Sequence, residues 1–370
     1  VGSNLSLKED ADVQVRKLKM LLLVIGMFCG WAVCEPRALL AQTDLFNRLV
    51  EESRAEMAKK GGKLLIGTDW TNSEAKPVLA GFKRDFPFVE APSFERLRTT
   101  EEMQRMLMEA RVGRNPPFDI LNISHESWPD YAKAGLFPKP LFSYKALIKA
   151  LPKGWTTPDP RIVDPNDEYM ATTGLARGIA YNKNAVADKA PKDWKDCLDP
   201  LWRGKVVYDP RPKLNSFQHD PKTRQWYLDW LGGLVKNKVV LGRGQTENIE
   251  RVAAGEYPMF CGVNYYSTMR AIEAGAPLAF VLPDPFAMEF GTQIHVVKWS
   301  ATPATTQLFV LWLATKGDQP RYREFPWKPG VDIAPLAKGK YMAVCDVECL
   351  NKSTEYIKLH SKILGLPGGS

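Results

Sequence analysis

The sequence predicts an α/β protein of two lobes, each a mixed sheet flanked by helices, and three observations carry that reading. From residue 63, short apolar runs alternate with amphipathic stretches, the rhythm of strands and helices in a layered sheet. The same rhythm returns from residue 205. Between the two lies a proline-rich stretch, Leu151 to Asp167, that reads as a loop and lobe boundary.

The elements follow in order. Lys63 to Gly67 reads as a buried strand, and Thr68-Asp69-Trp70-Thr71-Asn72-Ser73 as a polar loop opening a helix that runs to Asp85 and closes at Phe86-Pro87. A second strand is expected near Phe88 to Ala91. Thr99 and Glu102 form a capping box at the head of a helix over 101–112, with Met103, Met106, Leu107 and Ala110 on one face. Phe118 to Ile123 is the next strand, and Trp128 to Ala134 the next helix, ended by Gly135. Beyond the proline-rich stretch come a strand at Lys205 to Tyr208, helices at Thr223 to Leu234 and Thr246 to Ala254, and a strand at Tyr257 to Val263. A helix is expected from about Ser267, and another around Thr354 to Leu364.

The 370 residues allow two domains, and 45% apolar with 25% charged residues is an ordinary globular balance. The net charge of +8 is dispersed, without a Lys/Arg block, so a nucleic-acid track is not expected. Residues 1–41 read as a signal peptide. Arg16, Lys17 and Lys19 precede an apolar run from Met20 to Val33, too short to span a bilayer comfortably. Met20 reads as an alternative start after an over-extended N-terminus, and cleavage is expected near Ala41. Trp31-Ala32-Val33 is a poor approach to a lipidated Cys34. Of the four later cysteines, Cys345 and Cys349 are closest in sequence, yet four-residue spacing on a helix would suit a disulfide poorly.

Gly178-Ile179-Ala180-Tyr181-Asn182, then Ala190-Pro191-Lys192-Asp193-Trp194, then Leu198-Asp199-Pro200-Leu201-Trp202-Arg203-Gly204-Lys205 form a composite phrase. It resembles the crossover of family 1 extracellular solute-binding proteins, the receptors of ABC importers, with Cys197 in place of the family's usual Leu. Phe118-Asp119-Ile120 with Ala134-Gly135-Leu136, and Ala254-Gly255-Glu256 with Gly275-Ala276-Pro277, fall in the family's order. So do Val281-Leu282-Pro283 and the stretch Ala304 to Ala314. The resemblance implies a type II periplasmic-binding fold with a ligand cleft between lobes that close on the solute. It places a discontinuous first lobe at 42–175 and 290–340, a second at 176–289, and a C-terminal helical segment at 341–370. It also implies a monomer in the periplasm whose partner is an inner-membrane permease.

Val263-Asn264-Tyr265-Tyr266-Ser267 is the most informative segment for the ligand. Ferric-binding members of the family carry such a tyrosine pair, and Fe³⁺ is a hard cation that favours anionic oxygen. The resemblance therefore implies Fe³⁺ as transported ligand on Tyr265 and Tyr266, with Tyr181 as a third phenolate. It implies that Arg177 holds a synergistic carbonate or carboxylate. The first loop lacks the histidine many ferric members carry, whereas the loop after the third strand offers His125 and Glu126.

Two organic ligand classes stay open. A polyamine would need carboxylates beside aromatic faces, as in Asp69-Trp70, Glu126 with Trp128, and Asp284. A small oxyanion or phosphonate would use Thr71, Ser73, Ser267 and Thr268 with Arg177. His219, His295 and His360 read as structural or exposed. No G-x-S-x-G, P-loop, H-E-x-x-H or dinucleotide fingerprint points to catalysis, so a binding protein is expected and an enzyme is not.

Overall fold

Two sheets organise the computed structural model, which describes residues 34–68, 70–97, 100–123, 128–172, 174–211, 214–242, 244–290, 293–317, 333–346, 348–349 and 352–367. The first sheet has the order β10-β3-β1-β2, with β1 (Lys63–Thr68), β2 (Ala91–Arg96), β3 (Ile120–Ile123) and β10 (Gln293–Val296). β1 runs parallel to β2 and β3, and β10 returns antiparallel beside β3. Helices α1 (Cys34–Lys59), α2 (Asn72–Asp85), α3 (Thr100–Arg111), α4 (Trp128–Lys133) and α5 (Tyr144–Lys149) belong to the same stretch of chain.

The second sheet is built on β4 (Gly174–Asn182). Its order is β11-β9-β4-β7-β5-β6, from β5 (Val206–Tyr208), β6 (Val240–Leu241), β7 (Met259–Asn264), β9 (Phe286–Phe290) and β11 (Met342–Cys345). Strand β8 (Leu278–Val281) pairs with the second half of β4, whose first half pairs with β9. Its helices are α6 (Lys183–Val186), α7 (Asn215–His219), α8 (Arg224–Lys236), α9 (Gln245–Ala253) and α10 (Tyr265–Glu273). The later part of the chain carries α11 (Pro303–Thr315), α12 (Ile333–Ala337) and α13 (Ser353–Ile363).

Several expected elements shift for physical reasons. The second strand starts at Ala91 because Phe86 and Val89 turn inward first and join the core. The C-terminal segment opens with β11, which lies parallel to β9, before the expected helix appears as α13. Cys345 therefore ends a strand instead of sitting in a helix, and its Cα lies 5.1 Å from that of Cys349, with which it forms a disulfide. A second disulfide, Cys197–Cys261, is not signalled by spacing, since 64 residues separate the pair. The apolar run Met20 to Val33 lies outside the described residues, and residues 34–41 begin α1.

Helix α11 is the axis of the first-lobe core. Every side chain from Ala304 to Thr315 is buried, so the helix is apolar all round and needs no amphipathic face. Its N-terminal amides at Ala304 and Thr305 donate to the Glu56 carboxylate of α1 at 2.9 and 2.8 Å. That anion complements the helix dipole and satisfies donors that would otherwise be orphaned. Burial raises the Glu56 pKa and these hydrogen bonds oppose the rise.

The phrase that carried the resemblance is scaffold. Asn182 caps α6 through its oxygen and donates its amide to the carbonyls of Val252 and Ala253. Trp194 is fully buried, and its indole N–H donates to the Pro285 carbonyl at 2.6 Å. Gly178 is required because a Cβ there would stand 2.2 Å from the Val281 carbonyl oxygen. The Cys197–Cys261 bond ties β7 to this same cluster. Closing a loop of that length is worth about 4 kcal/mol in loop entropy. The double variant Cys197→Ser/Cys261→Ser is expected to lose roughly 2–4 kcal/mol of unfolding free energy, which a denaturant titration with and without reductant will read.

Candidate functional site

The site is assembled at the ends of β1 and β7. Asn264 ends β7 in extended backbone, and its side-chain oxygen accepts the Ser267 amide at 2.7 Å while Thr268 Oγ1 donates to its carbonyl. This cap starts α10 at Tyr265, two residues earlier than the sequence suggests, so both tyrosines belong to the first helical turn. The Asn264 amide donates to Gln245 Oε1 at 3.1 Å, and Gln245 Nε2 donates to Asp209 Oδ2 at 3.4 Å. Asp209 in turn holds Arg211, whose side chain is 47% exposed. A relay from Asn264 thus fixes a cation at the end of β5. Arg211 supplies the salt bridge and hydrogen bonds that lower the Asp209 pKa against the opposing effect of burial.

Opposite stands the start of α2. Glu74 reaches back to accept the Thr71 amide at 2.7 Å and the Thr71 hydroxyl at 2.9 Å, both on Oε2, and Ser73 Oγ lies 3.0 Å from Thr71 Oγ1. Its other oxygen, Oε1, accepts the phenol of Tyr266 at 2.7 Å. That bond joins residues 192 apart in sequence and links the two sheets' elements across their seam. The Arg270 guanidinium sits over the Tyr266 ring, 5.7 Å from its centroid. Tyr265 is buried, its ring edge-on to Phe280 at 5.1 Å.

The expected residues divide accordingly. Thr71, Ser73 and Tyr266 meet at this seam, Ser267 follows in the first turn of α10, and Tyr265 is buried against Phe280. Tyr181 does not join them. It pairs with Met259 at the far end of β7, roughly 17 Å along the strand from Asn264, and packs against the cluster around Trp194. Arg177 is 2% exposed and ion-paired to Glu289 at 2.6 Å. It lies in register with Ala287, whose side chain packs with Trp194, so it faces away from Phe280 and Tyr265. Trp70 is buried in the first core beside Phe309, and Asp284 accepts the Tyr341 amide, so neither forms an aromatic cage. Thr268 is buried and spends its hydroxyl on the Asn264 carbonyl. Asp69, His125 and Glu126 lie outside the described residues, as does the side chain of Trp128.

Sequence reasoning passed over Glu74, Arg211, Gln245 and Arg270. Only Glu74 carried a local signal, the Thr71-x-x-Glu74 capping box. Among the described residues no three His, Cys, Asp or Glu side chains cluster to hold a metal. The oxygen atoms that meet at the seam are the Tyr266 phenol and the Glu74 carboxylate.

A family model described as bacterial extracellular solute-binding protein matches residues 100–320, well over half of the chain. The chain belongs to that family. Such solute-binding proteins serve ABC importers by carrying a small solute to the permease, and they are transport proteins. This solute-binding protein is 27% identical over 252 residues to the iron uptake protein A2 of Synechocystis sp., covering 60% of this chain and 69% of that relative. Its fold matches a Trichodesmium protein solved with iron and citrate, with TM-score 0.61, 18% identity, 81% of this chain and 99% of that one. It matches the Mannheimia haemolytica ferric iron-binding protein A in an open conformation equally, at TM-score 0.61, 18% identity, 81% and 98%. The type II two-lobed fold follows from these likenesses.

The described histidines off the seam are structural. His295 is buried and stacked on Phe137 at 4.1 Å, and desolvation lowers its pKa to about 3. His360 lies 2.9 Å by Nε2 from the Tyr208 hydroxyl, and burial lowers its pKa to about 4. The unfolded chain protonates both near 6.5, before the fold accepts a proton. Stability is therefore lost as pH falls below that value, down to about 3 to 4. His295→Phe, which keeps a flat ring against Phe137, is expected to reduce that acid slope by up to about 1.4 kcal/mol per pH unit. Denaturant midpoints from pH 7 to pH 4 provide the check.

Proposed function

We propose that the protein is a ferric iron receptor, exported to the periplasm by residues 1–41 and delivering Fe³⁺ to the permease of an ABC importer. The observation that carries this reading is the phenol pair Tyr265-Tyr266, set by the Asn264 cap at the seam where Tyr266 meets Glu74. Fe³⁺ draws a proton from a phenol because the hard cation gains far more from an anionic oxygen than from a neutral one. The adjacent phenols of Tyr265 and Tyr266 are donors of this kind, and Arg270 places positive charge beside the Tyr266 phenolate that iron creates. The names of the relatives, an iron uptake protein and ferric-binding proteins, support the same cargo.

A synergistic carbonate or carboxylate completes the coordination in this reading. Arg211 takes the role assigned to Arg177 from sequence, since Arg177 is buried and committed to Glu289 while Arg211 is half exposed at the seam-side end of β5. Tyr181 is left out of the ligand set.

Visible absorbance during titration with ferric citrate tests the reading, using the chain from residue 42. A phenolate-to-iron charge-transfer band saturating near one iron per chain is expected. Tyr265→Phe/Tyr266→Phe should abolish the band and weaken iron binding by more than the roughly 10–100-fold that loss of a supporting partner costs. A flat spectrum from folded, ligand-free protein overturns the iron reading and leaves the family assignment standing.

A further inference from the structure

We propose that Glu74 is the first-lobe ligand of the transported ferric ion, and that its hydrogen bond to Tyr266 is the metal-free form of the same closure. The inference rests on the ferric reading above and adds to it a residue and a proton.

Distance is the first argument. Two oxygens bound at right angles to one octahedral ion, each at about 2.0–2.1 Å, stand about 2.9 Å apart. Tyr266 Oη and Glu74 Oε1 are 2.7 Å apart. The two atoms stand close to the separation of one edge of such a polyhedron. An ion entering this edge displaces the phenolic proton and keeps both oxygens nearly in place.

The second argument is preorganisation. Glu74 Oε2 is occupied by the amide and hydroxyl of Thr71, which fixes the carboxylate and turns Oε1 toward α10. A ligand held in this way loses little further freedom when the ion arrives. On the other lobe, Asn264 holds the first turn of α10 through the Ser267 amide. Each half of the edge is anchored in its own lobe by a helix cap, so the contact is lost when the lobes part.

The proton balance is simple. Without metal, the Tyr266 hydroxyl donates to the Glu74 carboxylate. On loading, the phenol O–H bond breaks, two bonds from iron to water or citrate oxygens are exchanged for bonds to the phenolate and the carboxylate, and one proton passes to solvent or to the anion accompanying iron. No electron moves. Reprotonation of the phenol at the permease would reverse the step.

Glu74→Gln tests the inference, because its amide oxygen still accepts from Thr71 while the anionic ligand is gone. Wild type and variant are titrated with ferric citrate under visible absorbance. The variant is expected to bind iron at least tenfold more weakly, with its charge-transfer band at longer wavelength, since iron that has lost an anionic donor accepts phenolate charge more readily. Glu74→His, which restores a neutral ligand at the same position, should recover most of the affinity with a band that differs from wild type. This second variant carries the test should Glu74→Gln fold poorly. A wild-type band together with unchanged affinity and wavelength in Glu74→Gln overturns the role of Glu74 and leaves the iron reading intact. Absence of the band in wild type overturns the iron reading itself.

Discussion

The second lobe depends on the pairing of β4 with three neighbours at once. Along one edge its first half takes β9 and its second half β8, while on the other edge β7 pairs with Arg177 to Tyr181. The exchange between β9 and β8 works because Gly178 carries no side chain where Val281 and Phe280 press closest. Register on the β7 side then decides where that strand ends. Arg177 opposite Asn264 is the last pair, and the next residue is Tyr265. The placement of both phenols is thus a consequence of sheet register fixed by a buried strand.

At the seam, the chemistry is that of a short polar contact in partly dry surroundings. The Tyr266 phenol donates to the Glu74 carboxylate between elements of the two sheets, and each is held from behind by helix-cap hydrogen bonds. Such a contact is weak in water and stronger where solvent is excluded. In the proposed reading a hard cation would replace the phenolic proton at this contact.

The residues by which the family is recognised in sequence mostly hold the scaffold together. Asn182, Trp194 and Gly178 each serve a hydrogen bond or a close approach within the second lobe. Tyr181 sits in the same phrase and Arg177 just before it, and the fold commits them to core packing and to Glu289. Glu74 was passed over although its capping box with Thr71 is a local signal, and nothing local says that its second oxygen meets a tyrosine 192 positions later. Ligand residues drawn from a resemblance inherit the scaffold's order, whereas lobe contacts depend on how two such scaffolds meet.

The sequence alone determined the local features, because they rest on short-range rules. Alternating apolar runs, the polar loop from Thr68 to Ser73 that opens a helix and the tyrosine pair after a buried strand are all readable from spacing. Tertiary structure decided everything that depends on distant residues. It set the Cys197–Cys261 bond across 64 residues and the choice of β11 over a helix for residues 342–345. It turned Arg177 inward and brought Glu74 to Tyr266. The reason is physical: a side chain's partner across a sheet or a seam is fixed by register and by packing between lobes, and neither leaves a mark within a few residues of the chain.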